Sequence, residues 1–489
     1  MLRPHKKPLL TRLRGRKKSL ALFLAVAHTL GAIHSVQAIM ETRTAQGAIA
    51  WAISLNTFPY IAVPAYWVFG RTAFRGYVQK RQEQLSATDP FDGAFMAQVD
   101  EAGLRYDSDR PRVHLLEQLT QLPATIGNEV ELLRNGEEIF PSIFEGIDAA
   151  TDYVLLQFYI VRDDELSREM QERLRAAAAR GVRVYLLYDE IGSFQLPRGY
   201  FNPLRADGVD VRAFHSTQGR ANRFQINFRN HRKIVVVDGR TAWVGGVNLG
   251  DEYMSRNPRW SPWIDTMVRI VGPAVQAVQA PFLEDWYWAS DEIIPLEWTP
   301  QPAPSGTSLP VLSVPTGPAD EFETCALYFL DAIQNATERF WVASPYFVPD
   351  EQIVSALQLA AMRGVDVRVL VPDDCNHRLV RLSGWTYVAA LEAAGVQVYR
   401  HMEGFLHHKI MLVDSDIAAV GTANFDNRSF RLNFEIQIEV HDAGFAQEVE
   451  ALFLRDFEAS RLSSAAELEA RRFPIRLAAR IARLMAPVQ

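Results

Sequence analysis

Two stretches of the chain repeat the same order of reactive side chains. The first is His231-Arg232-Lys233-Ile234-Val235-Val236-Val237-Asp238, and the second is His407-His408-Lys409-Ile410-Met411-Leu412-Val413-Asp414. Both read His-x-Lys-x4-Asp. A Gly-x-x-Asn segment follows each, ending on Asn248 and Asn424, both 17 residues beyond their histidine. A carboxylate lies further on in each half, Asp265 and Glu435. A single His-x-Lys carries little information, because an isolated histidine is more often structural. Two copies with matching Gly-x-x-Asn segments are hard to explain by packing.

The chemistry these residues suit is cleavage or exchange of a phosphodiester. Two lysines and two asparagines can surround a phosphate with charge and hydrogen-bond donors. One neutral imidazole can attack phosphorus. The other, protonated, can donate to the leaving oxygen, which is worth about 10²–10⁴-fold. A histidine pKa near 6.5 lets one fold hold the two rings in opposite states. A carboxylate behind each ring would fix its tautomer, and Asp265 and Glu435 are the candidates. Asp238 and Asp414 belong to the repeated motif and are counted with its catalytic set. Their place five residues beyond the lysine suits bracing of a strand-end loop better than contact with substrate. His408 alternates to the face opposite His407. His28, His34, His215 and His401 lack a ligand partner at recognisable spacing, so no metal and no cofactor is expected.

The elements that must carry these residues are also duplicated. Val154–Tyr159 reads as a buried strand, a helical stretch runs to Ala179, and Arg180-Gly181 reads as a stop before a second strand over Val182–Leu187. The later half repeats the order with Phe340–Tyr346, a helical stretch, Arg363-Gly364 and Val365–Leu370, and each half opens a third strand after Gly208 or Gly395. Strand–helix–strand units of this length imply parallel pairing and an α/β fold. The apolar runs inside the two His-Lys motifs read as strands, with His and Lys on one face. The repeats occupy residues 105–298 and 319–465. Between them, 299–318 holds six prolines and reads as a linker.

Composition places this body at a membrane. The 489 residues carry a net charge of −7, with eight Lys/Arg and no acid in the basic segment 1–18 and five Arg and no acid in 471–489. Thus 38 basic residues face 58 acidic ones in between, which argues against nucleic acid as a partner. The basic ends suit an anionic membrane surface. Two cysteines exclude a disulfide scaffold. No charged residue occurs in 19–40 or 44–70, so both runs are expected to be transmembrane helices, with Pro59 and Pro64 kinking the second. Arg71, Arg75, Lys80 and Arg81 follow, and the positive-inside rule then puts both flanks in the cytoplasm. Val36-Gln37-Ala38 also fits a signal cleavage site, and a re-entrant or interfacial pair is a further alternative. Residues 466–489 read as a basic amphipathic helix, with Arg476, Arg480 and Arg483 beside Leu477, Ile481 and Leu484.

With its paired His-x-Lys-x4-Asp motifs the chain resembles the phospholipase D superfamily, and within it the bacterial cardiolipin synthases. Supporting segments are Gly245–Tyr253, Asp265–Val275, Phe282–Trp286, Ser344–Asp350 and Gly421–Phe430, along with the two apolar N-terminal runs. The resemblance implies two phospholipase D-type α/β domains, each a mixed sheet flanked by helices, packed around one active site behind a transmembrane hairpin. It implies a multi-pass protein of the bacterial inner membrane, acting on phosphatidylglycerol and other membrane phospholipids. It further implies His231 as nucleophile, His407 as acid and base, and Lys233, Asn248, Lys409 and Asn424 as phosphate binders. The basic head is longer than the family pattern requires. Rival expectations are hydrolysis with water as acceptor, a different second lipid such as phosphatidylethanolamine, and a catalytically dead scaffold. One chain carries both motifs and so can complete a site alone.

Overall fold

The computed structural model describes residues 9–70, 74–87, 94–215, 217–218 and 227–489. The first eight residues of the basic segment, and Arg71 among the flanking cations, lie outside the described residues. By contact the chain divides into an N-terminal unit (Met1–Gly76 with Ser216–Asn227) and a body (Tyr77–His215 with Phe228–Gln489).

In the N-terminal unit, helix α1 spans Leu9–Glu41. Its Lys17–Glu41 stretch is long and apolar enough to cross a bilayer. The expected single helix over 44–70 is instead two, α2 (Ala45–Thr57) and α3 (Pro59–Phe69). The break falls at Phe58, whose backbone leaves the helical region (φ −133°, ψ 55°). A residue before proline is pushed out of that region, and Pro59 has no N–H to continue the ladder. At 13 and 11 residues, the two helices reach only about 20 and 17 Å. They double back on each other. Trp51 meets Tyr66 edge to face at 5.2 Å, while Trp67 Nε1 donates to His34 Nε2 at 2.8 Å and Asn56 Nδ2 donates to Ser35 Oγ at 2.7 Å. A Cβ on Gly31 would lie 2.1 Å from the Leu55 carbonyl oxygen, so this glycine is required where α2 crosses α1.

The body is one continuous mixed sheet built twice. The first half contributes β1 (Thr125–Arg134), β2 (Tyr153–Phe158), β3 (Arg183–Asp189), β4 (Asp210–Phe214), β5 (Ile234–Val237), β6 (Thr241–Gly245) and β7 (Thr266–Val271). The second contributes β8 (Leu309–Thr316), β9 (Arg339–Ala343), β10 (Asp366–Pro372), β11 (Gln397–His401), β12 (Ile410–Val413), β13 (Ile417–Gly421) and β14 (Asn433–His441). The order is β4-β3-β2-β5-β6-β7-β1, then β8-β14-β13-β12-β9-β10-β11, so the halves meet at β1 and β8 and mirror one another outward. The strand–helix–strand units pair in parallel, β2 with β3 and β9 with β10, as their spacing requires. The motif strands β5 and β12 pair antiparallel to β2 and β9.

Local signals agree with this placement. Asp164 and Asp350 cap the crossover helices Glu165–Ala179 and Glu351–Met362 by accepting from Ser167 N and Ile353 N. Gly181 and Gly364 stop them with φ of 91° and 96°. β2, β5, β12 and β14 are buried along their whole length, as expected for strands covered on both faces. Each half has its own apolar core, around Phe140, Leu156 and Trp243 in the first and Phe329, Val342 and Phe425 in the second.

The linker reading of 299–318 is corrected. Its second part is β8, which pairs with both β1 and β14 and buries Val311, Leu312 and Val314. The apolar residues between Pro310 and Pro315 decide the outcome over the proline count. The C-terminal stretch 466–489 is likewise not one helix. It breaks between Ala465–Glu469 and Phe473–Arg483, with Pro474 in the first turn of the latter.

Candidate active site

The catalytic motifs sit just before their strands. The apolar runs of the motifs are strands, as expected, with His231 and Lys233 just before β5 and His407 and Lys409 just before β12. Two short bridges between the halves fix them there. Arg229-Asn230 pairs in parallel with Asn433-Phe434, and Phe405-Leu406 pairs in parallel with Trp263-Ile264. His231 N–H donates to the Phe434 carbonyl at 2.9 Å, and His407 N–H to the Ile264 carbonyl at 2.7 Å.

These bridges cross the orienting carboxylates. His231 Nδ1 lies 2.9 Å from both Glu435 oxygens, and His407 Nδ1 lies 2.6 Å from Asp265 Oδ2. Each imidazole is therefore held by the other half. Glu435 also accepts from Thr422 Oγ1 at 2.6 Å, Ser429 Oγ at 2.9 Å and Asn433 Nδ2 at 3.0 Å. Asp265 accepts from Thr266 N at 2.9 Å and Trp263 Nε1 at 3.3 Å. The Gly-x-x-Asn segments explain themselves here. A Cβ on Gly246 would sit 1.9 Å from Asp265 Oδ1, whereas its counterpart Thr422 points a hydroxyl at Glu435. Lys233 Nζ and Lys409 Nζ fold back to the carbonyls of their own histidines, at 2.6 and 2.7 Å.

Electrostatics ties the two halves into one centre. Lys409 acts on both Asp265 and Glu435, and also on both histidines. Burial, with the lysine charges, outweighs the carboxylates and lowers His231 to about 4 and His407 to about 3. Both rings are thus neutral near pH 7. Burial likewise lowers Lys409 to about 8 and pushes Lys233 well below the usual lysine value. Burial opposes ionisation of Asp265 and Glu435, yet Lys409 holds Asp265, and contact with His231, the charge of Lys233 and the Thr422 hydroxyl hold Glu435, below the usual carboxylate range. A phosphodiester anion placed between the two lysines would offset their charge, which lowers His407, and so would raise the affinity of His407 for a proton.

Asn248 Oδ1 accepts from Ile160 N at 3.0 Å, and its Nδ2 donates to Tyr253 Oη at 2.8 Å. Asn424 Oδ1 is buried without a partner among the described residues. Asp238 and Asp414 each accept a set of backbone and hydroxyl bonds at a strand end. Asp238 accepts from Thr151 N and Oγ1, Asp152 N and Tyr153 N. Asp414 receives the same set from Thr337, Glu338 and Arg339. Both sit at the far end of their strands with left-handed φ near 51° and 52°. His408 turns away to Asp456, 3.3 Å off.

Sequence reasoning missed Tyr159, whose ring meets His231 at 4.9 Å, and Trp263, which meets His407 at the same distance. It also missed Thr422 and Ser429. Only the position of Trp263, two residues before Asp265, hinted at a role.

A family model described as cardiolipin synthase, phospholipase D-like domain, matches residues 143–286 and 329–457. The chain belongs to that family. It is 46% identical over 475 residues to cardiolipin synthase A of Pseudomonas fluorescens (strain SBW25), covering 96% of this chain and 98% of the relative. It is 45% identical over 474 residues to cardiolipin synthase A of Pseudomonas aeruginosa (strain LESB58), covering 96% of each. Among solved structures, phosphatidylserine synthase of Haemophilus influenzae Rd KW20 superposes with a TM-score of 0.59 at 15% identity, over 77% of this chain and all of the other, a likeness of fold. Both domains matched by the family model fall inside the two mirrored halves, and each contains one His-Lys motif. The crossed carboxylates belong to the same two domains.

Proposed function

We propose that the chain is a membrane-bound phosphatidyltransferase that joins two phosphatidylglycerol molecules into cardiolipin and glycerol. His231 Nε2 attacks the phosphorus of the first lipid. The P–O bond to glycerol breaks, and His407 gives its proton to the departing oxygen. A terminal hydroxyl of the second lipid then returns a proton to His407 and attacks phosphorus, which frees His231. Glu435 keeps the proton of His231 on Nδ1, so that Nε2 is the nucleophile. Lys233, Lys409 and Asn424 hold the non-bridging oxygens, where charge builds up.

The observation that carries this reading is the crossed pair of buried His–carboxylate contacts, with Lys409 acting on both rings. The purified chain, given phosphatidylglycerol in detergent micelles, should release cardiolipin and glycerol. Phosphatidic acid as sole product refutes transfer, and turnover by His231→Ala refutes the nucleophile.

The same reading holds the enzyme at the cell membrane through α1. On the body, Leu477, Ile481 and Leu484 are exposed beside Arg476 and Arg480, while Ala479 and Ala482 face inward, an arrangement suited to an anionic leaflet. Cations on both flanks of 19–70 favour a catalytic body in the cytoplasm. A second reading has its own support. α2 and α3 are each shorter than a span and double back, and a chain that crosses once leaves opposite its N-terminus. A reporter fused after residue 90 decides: a cytoplasmic signal requires two crossings, and a periplasmic one requires a re-entrant α2–α3 pair.

A further inference from the structure

One residue stands between histidine and lysine in each motif, Arg232 in the first and His408 in the second. Neither takes part in the transfer chemistry, and both are buried. Each meets a carboxylate on the helix that follows β7 or β14. Arg232 Nη1 donates to Asp285 Oδ2 at 2.8 Å, and His408 Nε2 lies 3.3 Å from Asp456 Oδ2. The two helices, Ala274–Ser290 and Ala443–Glu458, carry these acids in one short pattern, Phe282-Leu283-Glu284-Asp285-Trp286 and Phe453-Leu454-Arg455-Asp456-Phe457. The pair was therefore duplicated with the fold.

Beyond the pair, the two residues differ. Arg232 Nε donates to the backbone carbonyl of Glu435 at 3.1 Å, and Nη2 donates to that of Thr316 at 3.2 Å. Thr316 and Glu435 lie opposite each other where β8 pairs with β14, so an arginine of the first half grips both strands of the second at one point. Its neighbour His231 holds the same segment, through its N–H to the Phe434 carbonyl and through Nδ1 to the Glu435 carboxylate, both at 2.9 Å. A buried guanidinium needs a carboxylate partner, and its planar fork can serve several acceptors at once. Asp285 is that partner, and it is fixed in turn by Tyr77 Oη at 2.7 Å and Gln157 Nε2 at 2.8 Å. In the other half the matching carbonyl, that of Asp265, accepts from Asn135 N–H at 2.9 Å. There a backbone amide, not His408, holds the orienting acid.

We propose that Arg232, anchored by Asp285, is a positioning residue for His231: it fixes the Glu435 backbone so that the carboxylate meets Nδ1 of the nucleophile. His408 and Asp456 keep the same place in the fold without that task. A displacement of about 1 Å at a reacting group can cost about 10²-fold in rate, so the backbone under Glu435 matters as much as its charge. The proposal rests on the transfer reading above, in which His231 attacks phosphorus.

Double-variant cycles in the full chain test it, with glycerol release from phosphatidylglycerol in micelles as the readout. Arg232→Gln should lower kcat by about 10–100-fold with little change in KM, because it acts on the imidazole and not on the lipid. Its loss should largely vanish in a Glu435→Gln background, where the carboxylate it positions is already gone, and should persist in an Asp265→Asn background. An arginine that only stabilises the fold would cost the same in both. Asp285→Asn should show a smaller loss of the same kind, and His408→Gln should keep kcat close to that of the wild type. Arg232→Lys, which keeps the charge without the fork, should recover part of the loss, and it carries the same cycles if Arg232→Gln does not fold. A loss of equal size in the two backgrounds, or a fall in His408→Gln as large as that in Arg232→Gln, overturns the positioning role. Turnover by His231→Ala refutes the nucleophile instead, and that result is separate, since the cycles use chains that retain His231.

Discussion

Crossing of the carboxylates makes a prediction that separates the two histidines. Asp265 and Glu435 are fully buried, and each meets the Nδ1 of the other half's ring. Asp265→Asn and Glu435→Gln keep the shape but remove the charge, and an amide that donates to Nδ1 forces the proton onto Nε2. A hydrogen bond to a charged group is worth about 1.5–3 kcal/mol, or roughly 10–150-fold. Tautomer inversion in a serine triad costs about 10⁴. Each variant should therefore lose between roughly 10² and 10⁴ in turnover of phosphatidylglycerol. The two should differ on a phosphatidyl ester of p-nitrophenol, whose leaving group departs without a proton. In the proposed roles Asp265 serves the acid His407, so Asp265→Asn should recover most of its p-nitrophenol burst in stopped flow. Glu435 serves the nucleophile, so Glu435→Gln should stay slow on both substrates. The inverse pattern, with Glu435→Gln rescued and Asp265→Asn not, refutes the assignment of carboxylates to roles.

Three other consequences are open to measurement. Lys409 is a cation in the free enzyme only below about pH 8, so kcat/KM should fall as pH rises through that value. Lys409→Arg, which stays charged, should move the fall to higher pH, and an unmoved limb excludes Lys409 as its source. Asp238 is held below the usual carboxylate range by the N–H groups around it, although burial opposes this. Its contribution is therefore present above the unfolded carboxylate pKa and lost as pH falls through the folded one. Asp238→Ala should cost about 1–3 kcal/mol at neutral pH, with a smaller Tm gap in acid, and a pH-independent gap contradicts the bracing role. Arg112 binds Glu439 and Asp331 in the core, and Arg112→Ala should cost about 3–5 kcal/mol in chemical denaturation because the buried Glu439 loses its guanidinium and is left with its His441 contact. Arg112→Met with Glu439→Leu should recover much of that, and a double variant no better than the single one would contradict the charge argument.

Much of the architecture could be read from local rules because local forces set it. The buried β2 and its counterpart β9, the Asp-capped crossover helices and the glycine stops at 181 and 364 each follow from a few neighbouring residues. The two histidines, lysines and asparagines were visible for a different reason: repetition at equal offset marks them off from packing residues. What stayed hidden depends on contacts between distant segments. The crossing of Asp265 to His407 and of Glu435 to His231 is set by two bridges of two residues each, too short to leave a periodic pattern. β8 was hidden by its prolines, since composition weighs Pro310 and Pro315 but not the partner strands on either side. The break at Phe58 was signalled by Pro59, but only as a kink. The doubling back depends on how Tyr66 and Trp67 pack against Trp51 and His34.

The crossing also explains why duplication did not leave two independent sites. A half that kept its own carboxylate behind its own histidine could hold that imidazole alone and drift toward separate chemistry. Here His231 has no orienting carboxylate without β14, and His407 has none without the segment before β7. Lys409 also sets the charge felt by both rings. Loss of contact between the halves therefore disables nucleophile and acid together rather than one at a time. The remaining asymmetry lies outside this shared centre, in the rings of Trp263, Phe405 and Tyr253 around His407 against the ring of Tyr159 beside His231. Matched machinery with unequal surroundings suits a reaction in which one imidazole attacks phosphorus and the other moves a proton.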